Sequence, residues 1–140
     1  MSRLGPIVIV EDDRDDKEIF ESILEDLEVE NRLEWFLDAD SAFEYLKNTK
    51  EHIFIIFSDV NLPGKSGLEF KLRVDLDPDL RKSSIPFVFF STNASQPEVN
   101  NAYSHMTVQG FFKKGTNFSE MKEMINVILI YWKYCRHPNN

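Results

Sequence analysis

The chain of 140 residues has one cysteine, Cys135, so an intramolecular disulfide is excluded and a reducing compartment is the natural setting. No histidine or acid pattern near Cys135 marks it as a reactive thiol. Long apolar runs are missing as well. The longest, Val127–Trp132, falls far short of the roughly 20 residues that span a bilayer. The N-terminus enters a short apolar stretch and then acids, with no signal-peptide cleavage pattern, so a cytoplasmic protein is expected. His52, His105 and His137 lack metal-ligand spacing and are expected to be solvated. Basic charge is in deficit: 16 Lys+Arg stand against 24 Asp+Glu, a net charge of −8. That balance repels phosphate backbones and anionic lipid, which disfavours nucleic-acid and membrane partners.

Apolar material is plentiful. Hydrophobic residues make up 42% of the chain, with 12 Phe and 2 Trp, enough for one compact core and too much for an open, solvated chain. One domain is expected over residues 1–140, with a core of about 5–134 and a short tail at 135–140. The acidic surplus is uneven. Residues 11–30 hold 11 acids and 2 bases, so the rest of the chain is close to neutral.

Pro6–Val10 is a short β-branched run that stops at Glu11-Asp12-Asp13, a buried strand followed by a loop. Ile19, Ile23 and Leu27 then recur at helical spacing, with Asp13 as the N-cap and acids in a first turn that suit the helix dipole. Leu33, Trp35 and Leu37 alternate as a second strand, and Asp40–Leu46 reads as a short helix. Ile53–Ser58 and Ile85–Phe90 are apolar almost throughout, as strands covered on both faces are. Between them a Pro63-Gly64 turn leads to a helix through Leu68 and Leu72, then to a loop over Asp75–Ser84. Ser95-Gln96-Pro97-Glu98 is a helix start with a capping box and Pro near the first position. Val108–Phe112 is a fifth strand and Asn117–Tyr134 a long closing helix. Five strand–helix repeats imply an α/β domain, a doubly wound five-stranded parallel sheet.

In such sheets the functional crevice lies beyond the carboxyl ends of the strands. Glu11 and Asp12 follow the first strand, Asp59 the third, Ser91 the fourth and Lys114 the fifth. Carboxylates that converge there repel one another and call for a hard divalent ion with oxygen ligands, such as Mg²⁺. A lysine and a hydroxyl beside them suit a transferred phosphoryl group, with an aspartate as nucleophile. Asp13, Asp15 and Asp16 read as capping and solvated residues, Lys113 as a surface charge.

These residues resemble the receiver domain of bacterial two-component response regulators. The pieces are IVIVEDD (7–13), SDVNLPGKSG (58–67), PFVFFST (86–92) and GFFKK (110–114), in order and at the family's intervals over essentially the whole chain. The string VEDDRDDKEIF looks most like the stand-alone regulators, including those paired with bacterial phytochromes. The resemblance implies a flavodoxin-like sheet of strand order 2-1-3-4-5 and a signalling phosphoacceptor rather than an enzyme. By it, Asp59 accepts a phosphoryl group from a histidine kinase or phosphotransfer protein. Asp12 and Asp59 supply side-chain oxygens to Mg²⁺ or Mn²⁺, Glu11 acts through a metal-bound water, and Asn61 offers its backbone carbonyl. Ser91 and Lys114 bind the phosphoryl group, and Phe111 is the switch aromatic that follows Ser91. The face of the fourth helix, fifth strand and final helix would serve a downstream protein target or a homodimer. The final helix is apolar all round at Val127–Trp132, more than one buried face needs. No DNA-binding output domain is expected.

Several positions depart from the family's pattern. Gly115 replaces the usual proline after the lysine, which leaves the loop around Lys114 less constrained. Phe111 lacks a hydroxyl, so a switch there works through packing. Thr92 is larger than the common Ala or Gly and narrows access to the site. Asn61 and Asn93 occupy positions where the family tunes acyl-phosphate lifetime. Rival functions have specific gaps. An aspartyl-phosphate hydrolase would carry a second acid at Asn61, and a flavin module would carry a Ser/Thr/Gly-rich phosphate loop where this chain has acids. A phosphorylation-independent interaction module on the same scaffold is the alternative that the residues leave open.

Overall fold

A computed structural model describes residues 4–92, 94–115 and 117–138; Asn93 lies outside them. Five strands, β1 (Ile7–Val10), β2 (Leu33–Phe36), β3 (Ile55–Asp59), β4 (Phe87–Ser91) and β5 (Gly110–Lys113), form one sheet in the order β2-β1-β3-β4-β5. Every neighbouring pair is parallel, as the expected strand order requires. The helices are α1 (Arg14–Asp26), α2 (Ala39–Asn48), α3 (Gly67–Leu76), α4 (Pro78–Ser83), α5 (Gln96–His105) and α6 (Phe118–Tyr134).

Alternation along each strand sends side chains to two separate cores. Ile7 and Ile9 of β1 join Phe57, Phe90 and the buried residues Phe20, Ile23 and Leu24 of α1, together with Ile125, Ile128 and Leu129 of α6. Val8 and Val10 face the other way, with Ile56, Phe87 and Phe89, against Ala42 of α2, Phe70 of α3, Leu80 of α4 and Ala102 of α5. Helices thus cover both faces, which is why β1, β3 and β4 are apolar at nearly every position.

The capping signals operate as expected. The Asp13 carboxylate accepts from the amides of Asp15 and Asp16, and Ser95 and Glu98 form the reciprocal capping box of α5 with Pro97 in its first turn. Three expectations need correction. The segment Asp75–Ser84 is not a loop: α3 runs on to Leu76, and α4 follows, N-capped by Asp77 with Pro78 at its start. Ile19 is exposed, the α1 core being Phe20, Ile23 and Leu24, and β2 ends at Phe36, which packs inward, so that Leu37 lies beyond it and is exposed. The tail also docks. His137 is buried rather than solvated, its Nε2 lying 2.7 Å from the carbonyl of Phe54 and its ring stacked on Phe54.

Candidate functional site

The strand ends are level because the registers are. Asp59 lies opposite Phe90, Ser91 opposite Lys113, and Val10 opposite Ser58. Glu11 and Asp12 follow β1 directly, so these ends deliver Glu11, Asp12, Asp59, Ser91 and Lys114 to one crevice. Carboxylate oxygens of Glu11, Asp12 and Asp59 all lie within 4.8 Å of one another. Such a hard-oxygen set fits a small divalent cation.

Lys114 reaches into this cluster. Its Nζ donates to Glu11 Oε1 at 2.6 Å, to Asp16 Oδ2 at 2.9 Å and to Asp59 Oδ2 at 3.0 Å. The Lys114 amide donates to the carbonyl of Ser91, which pins the base of the side chain to β4. Burial pushes the Glu11 carboxyl up to about 7; the Lys114 ammonium opposes the rise and the Asp59 charge adds to it. Burial acts against the charge on Lys114, but its bonds to Glu11, Asp16 and Asp59 outweigh that and raise it above the ordinary lysine range.

The backbone around the acids is fixed from several sides. The Glu11 amide donates to Phe36 of β2, and the Trp35 indole N–H donates to the Glu11 carbonyl at 2.8 Å. The other Glu11 oxygen, Oε2, accepts from the Asp13 amide. The Trp35 ring in turn lies beneath the Lys17 ammonium, 5.0 Å from its centroid, and the Arg14 guanidinium. Asp59 Oδ1 accepts from the amide of Asn61, and the Asp59 carbonyl accepts from the Ser58 hydroxyl. At Gly67, the first residue of α3, a Cβ would overlap that same carbonyl oxygen, so glycine lets the helix begin against the strand end.

Ser91 is 2% exposed, and among the described residues its hydroxyl has no hydrogen-bond partner. A buried hydroxyl without a partner costs free energy unless something meets it. Phe111 is half-buried against Phe89, ring centroids 5.3 Å apart, and its amide donates to the Tyr103 hydroxyl of α5. Thr92, the residue after β4, is exposed. Gly115 is more enclosed than expected: a Cβ there would stand 2.9 Å from Glu120 Cβ and 3.2 Å from the Met121 amide. A cavity of about 400 Å³ opens beside Lys114, floored by Ile9, Phe20, Phe57, Phe90 and Met121.

Glu11, Asp12, Asp59 and Lys114 are therefore brought together, with Asp16 as an addition, while Ser91 ends the neighbouring strand β4 and Phe111 lies on β5. Asp16 was expected to be a solvated residue of the first turn, yet it holds Lys114, and no local sequence signal marks that long-range contact. Lys113 is exposed, as expected.

The family model for the response regulator receiver domain matches residues 7–126. The chain belongs to that family. This receiver domain is 26% identical over 131 residues to the response regulator Rcp1 of Synechocystis sp., covering 90% of this chain and 87% of that protein. It superposes on the phosphorylated cyanobacterial phytochrome response regulator RcpA with a TM-score of 0.79 at 26% identity, over 92% of this chain and 94% of the other. The Mn²⁺-bound form of Rcp1 gives a TM-score of 0.76 at 25% identity, over 93% and 95%. No helix of the described residues in this receiver domain is long and apolar enough to cross a membrane.

Proposed function

We propose that this receiver domain takes a phosphoryl group onto Asp59 from a phosphohistidine of a histidine kinase or phosphotransfer protein, with Mg²⁺ or Mn²⁺ bound by Asp12 and Asp59. The observation that carries the reading is the contact of Lys114 with Asp59 inside the cluster of Glu11, Asp12 and Asp59. An Asp59 carboxylate oxygen forms the new bond to phosphorus as the phosphorus–nitrogen bond breaks, and the electron pair leaves with the imidazole. A bound divalent cation supplies positive charge against the phosphoryl oxygens. Glu11 and the backbone carbonyl of Asn61 would complete the oxygen set that holds it. Lys114 offsets the charge on another phosphoryl oxygen, and the Ser91 hydroxyl donates to a third, which would give that orphaned group its partner.

Movement of Ser91 toward the phosphoryl group would open space beside β4 for Phe111, which packs against Phe89 one strand away. Because the Phe111 amide donates to Tyr103, the shift reaches α5. The face of α5, β5 and α6 exposes Tyr103, Val127, Ile130, Tyr131 and Tyr134. It is the surface through which a downstream protein or a second copy reads the change. The likeness to the phytochrome response regulators RcpA and Rcp1 supports a kinase of the phytochrome class as donor.

The test is phosphorylation with acetyl phosphate and Mg²⁺, followed by mass and by light scattering. The expected result is one phosphoryl adduct that Asp59→Asn and EDTA each abolish. An adduct that survives Asp59→Asn overturns the assignment.

A further inference from the structure

Lys114 spends its three N–H donors on three carboxylates from three elements: Glu11 beyond β1, Asp16 on α1 and Asp59 at the end of β3. Glu11 and Asp59 belong to the group whose oxygens crowd within 4.8 Å; Asp16 does not. The two inner acids therefore have a second demand on them, whereas the Asp16 side chain lies outside the cluster and meets Lys114 from the helix. Its place is set locally. The Asp13 carboxylate takes the amides of Asp15 and Asp16 at 2.8 and 3.2 Å, which fixes the first turn of α1 beside the crevice. Asp16 is 40% exposed and Lys114 13%, so the pair sits at the rim, where the lysine side chain enters the site.

We propose that Asp16 is a positioning residue for Lys114, holding the ammonium over Asp59 when Glu11 and Asp59 are engaged by a cation and a phosphoryl group. The inference rests on the phosphoryl-acceptor reading given above. It makes a prediction opposite in sign to bulk electrostatics. Removing an acid from a crevice that receives an anionic donor weakens repulsion and speeds the reaction; removing a positioning contact slows it. Asp15 provides the control, because it carries the same charge one residue away, is exposed and has no contact with Lys114.

The experiment is the rate of Asp59 phosphorylation by acetyl phosphate at saturating Mg²⁺, with Mn²⁺ affinity measured separately by electron paramagnetic resonance. Asp16→Asn is expected to be about two- to fivefold slower than wild type, the scale of a partly exposed ion pair. Asp16→Glu restores most of the rate, and Asp15→Asn is no slower than wild type. Mn²⁺ affinity of Asp16→Asn stays within a factor of about two, and Asp16→Asn adds no further loss in a Lys114→Ala background. An Asp16→Asn rate equal to that of Asp15→Asn, or an undiminished loss without Lys114, overturns the positioning role and leaves phosphoryl acceptance standing. A wild-type protein that takes no phosphoryl group, or takes as much as Asp59→Asn does, overturns the reading beneath it.

Discussion

Lys114 Nζ lies 2.6 Å from Glu11 Oε1, although 103 positions separate the two residues in the chain. The contact joins the end of β1 to the end of β5, across the two strands between them. It also has a pH signature. Burial raises the Glu11 carboxyl from 4.5 to about 7 in the folded protein, so the native state holds that proton more tightly than the unfolded chain. The stability owed to this group is complete below about pH 4.5 and is lost as pH rises to about 7. Lys114→Ala removes the ammonium that opposes the rise, and the decline then continues above pH 7. In EDTA, the variant is expected to lose about 1–3 kcal/mol relative to wild type at pH 8, and less at pH 5.5. Urea unfolding at the two pH values measures the difference; equal losses at both would contradict it.

Trp35 fixes the acidic loop through one bond, its indole N–H to the Glu11 carbonyl. Trp35→Phe keeps a ring between β2 and the Lys17 and Arg14 cations but deletes that donor. The expected outcome is a fall in Mn²⁺ affinity of about two- to tenfold, the worth of one net hydrogen bond. Titration of Trp35→Phe beside Trp132→Phe separates the effect from general loss of an indole. Cation-dependent fluorescence should persist in Trp132→Phe and disappear in Trp35→Phe.

The main lines of this fold and site are legible in the sequence because each site residue stands at the end of an apolar run. Val10, Phe57, Phe90 and Phe112 are followed within two residues by Glu11, Asp59, Ser91 and Lys114. Strand boundaries are less legible. Ile53 and Phe54 are buried yet precede β3, because side-chain burial at the base of the sheet extends beyond the ladder itself. The six residues of α4 are too few to show a helical period, although Asp77-Pro78 is a cap and first-turn signal in retrospect. Asp16 reads as a dipole-favoured acid in the first turn, and nothing local shows that a lysine 98 positions away comes to meet it. His137 presents the same difficulty, since its partner Phe54 is 83 residues distant.

Gly115 is set by close approach. A Cβ there would press on Glu120 Cβ and on the Met121 amide at the start of α6, and the Gly115 amide already points at the Met121 sulfur, 3.0 Å away. Gly115→Ala is expected to lower stability by about 1–3 kcal/mol, as overpacking does, and to slow Asp59 phosphorylation by displacing Lys114. Thermal unfolding and acetyl phosphate kinetics on one preparation test both. Unchanged stability would show that the start of α6 yields freely to a methyl group.

A fully buried lysine supplies the last prediction, on the face of the sheet away from α1 and α6. Lys71 of α3 is 2% exposed, and its Nζ meets Asp75 Oδ1 at 2.8 Å and Thr107 Oγ1 at 2.9 Å over the ring of Phe87. Asp75 also accepts from the Thr107 amide and hydroxyl, so the group ties α3 to the segment entering β5. Burial lowers the Lys71 pKa below the ordinary lysine range despite the Asp75 charge. Asp75 behaves differently: burial acts to raise its pKa, but its bonds to Lys71 and Thr107 outweigh that and lower it below 3.8. Asp75 therefore contributes stability above pH 3.8 that is lost as pH falls through its folded value. Asp75→Ala strands a buried ammonium and is expected to cost about 3–5 kcal/mol. Lys71→Met replaces the charge with an apolar chain of similar length and is expected to cost less, because Thr107 still satisfies Asp75. By contrast, Lys47→Ala, at a solvent-screened pair with Asp77, should cost the least of the three. Urea unfolding of the three variants at pH 7 ranks them. A loss in Lys71→Met as large as that in Asp75→Ala would mean that the ammonium itself, rather than its uncompensated burial, holds α3 to the β5 segment.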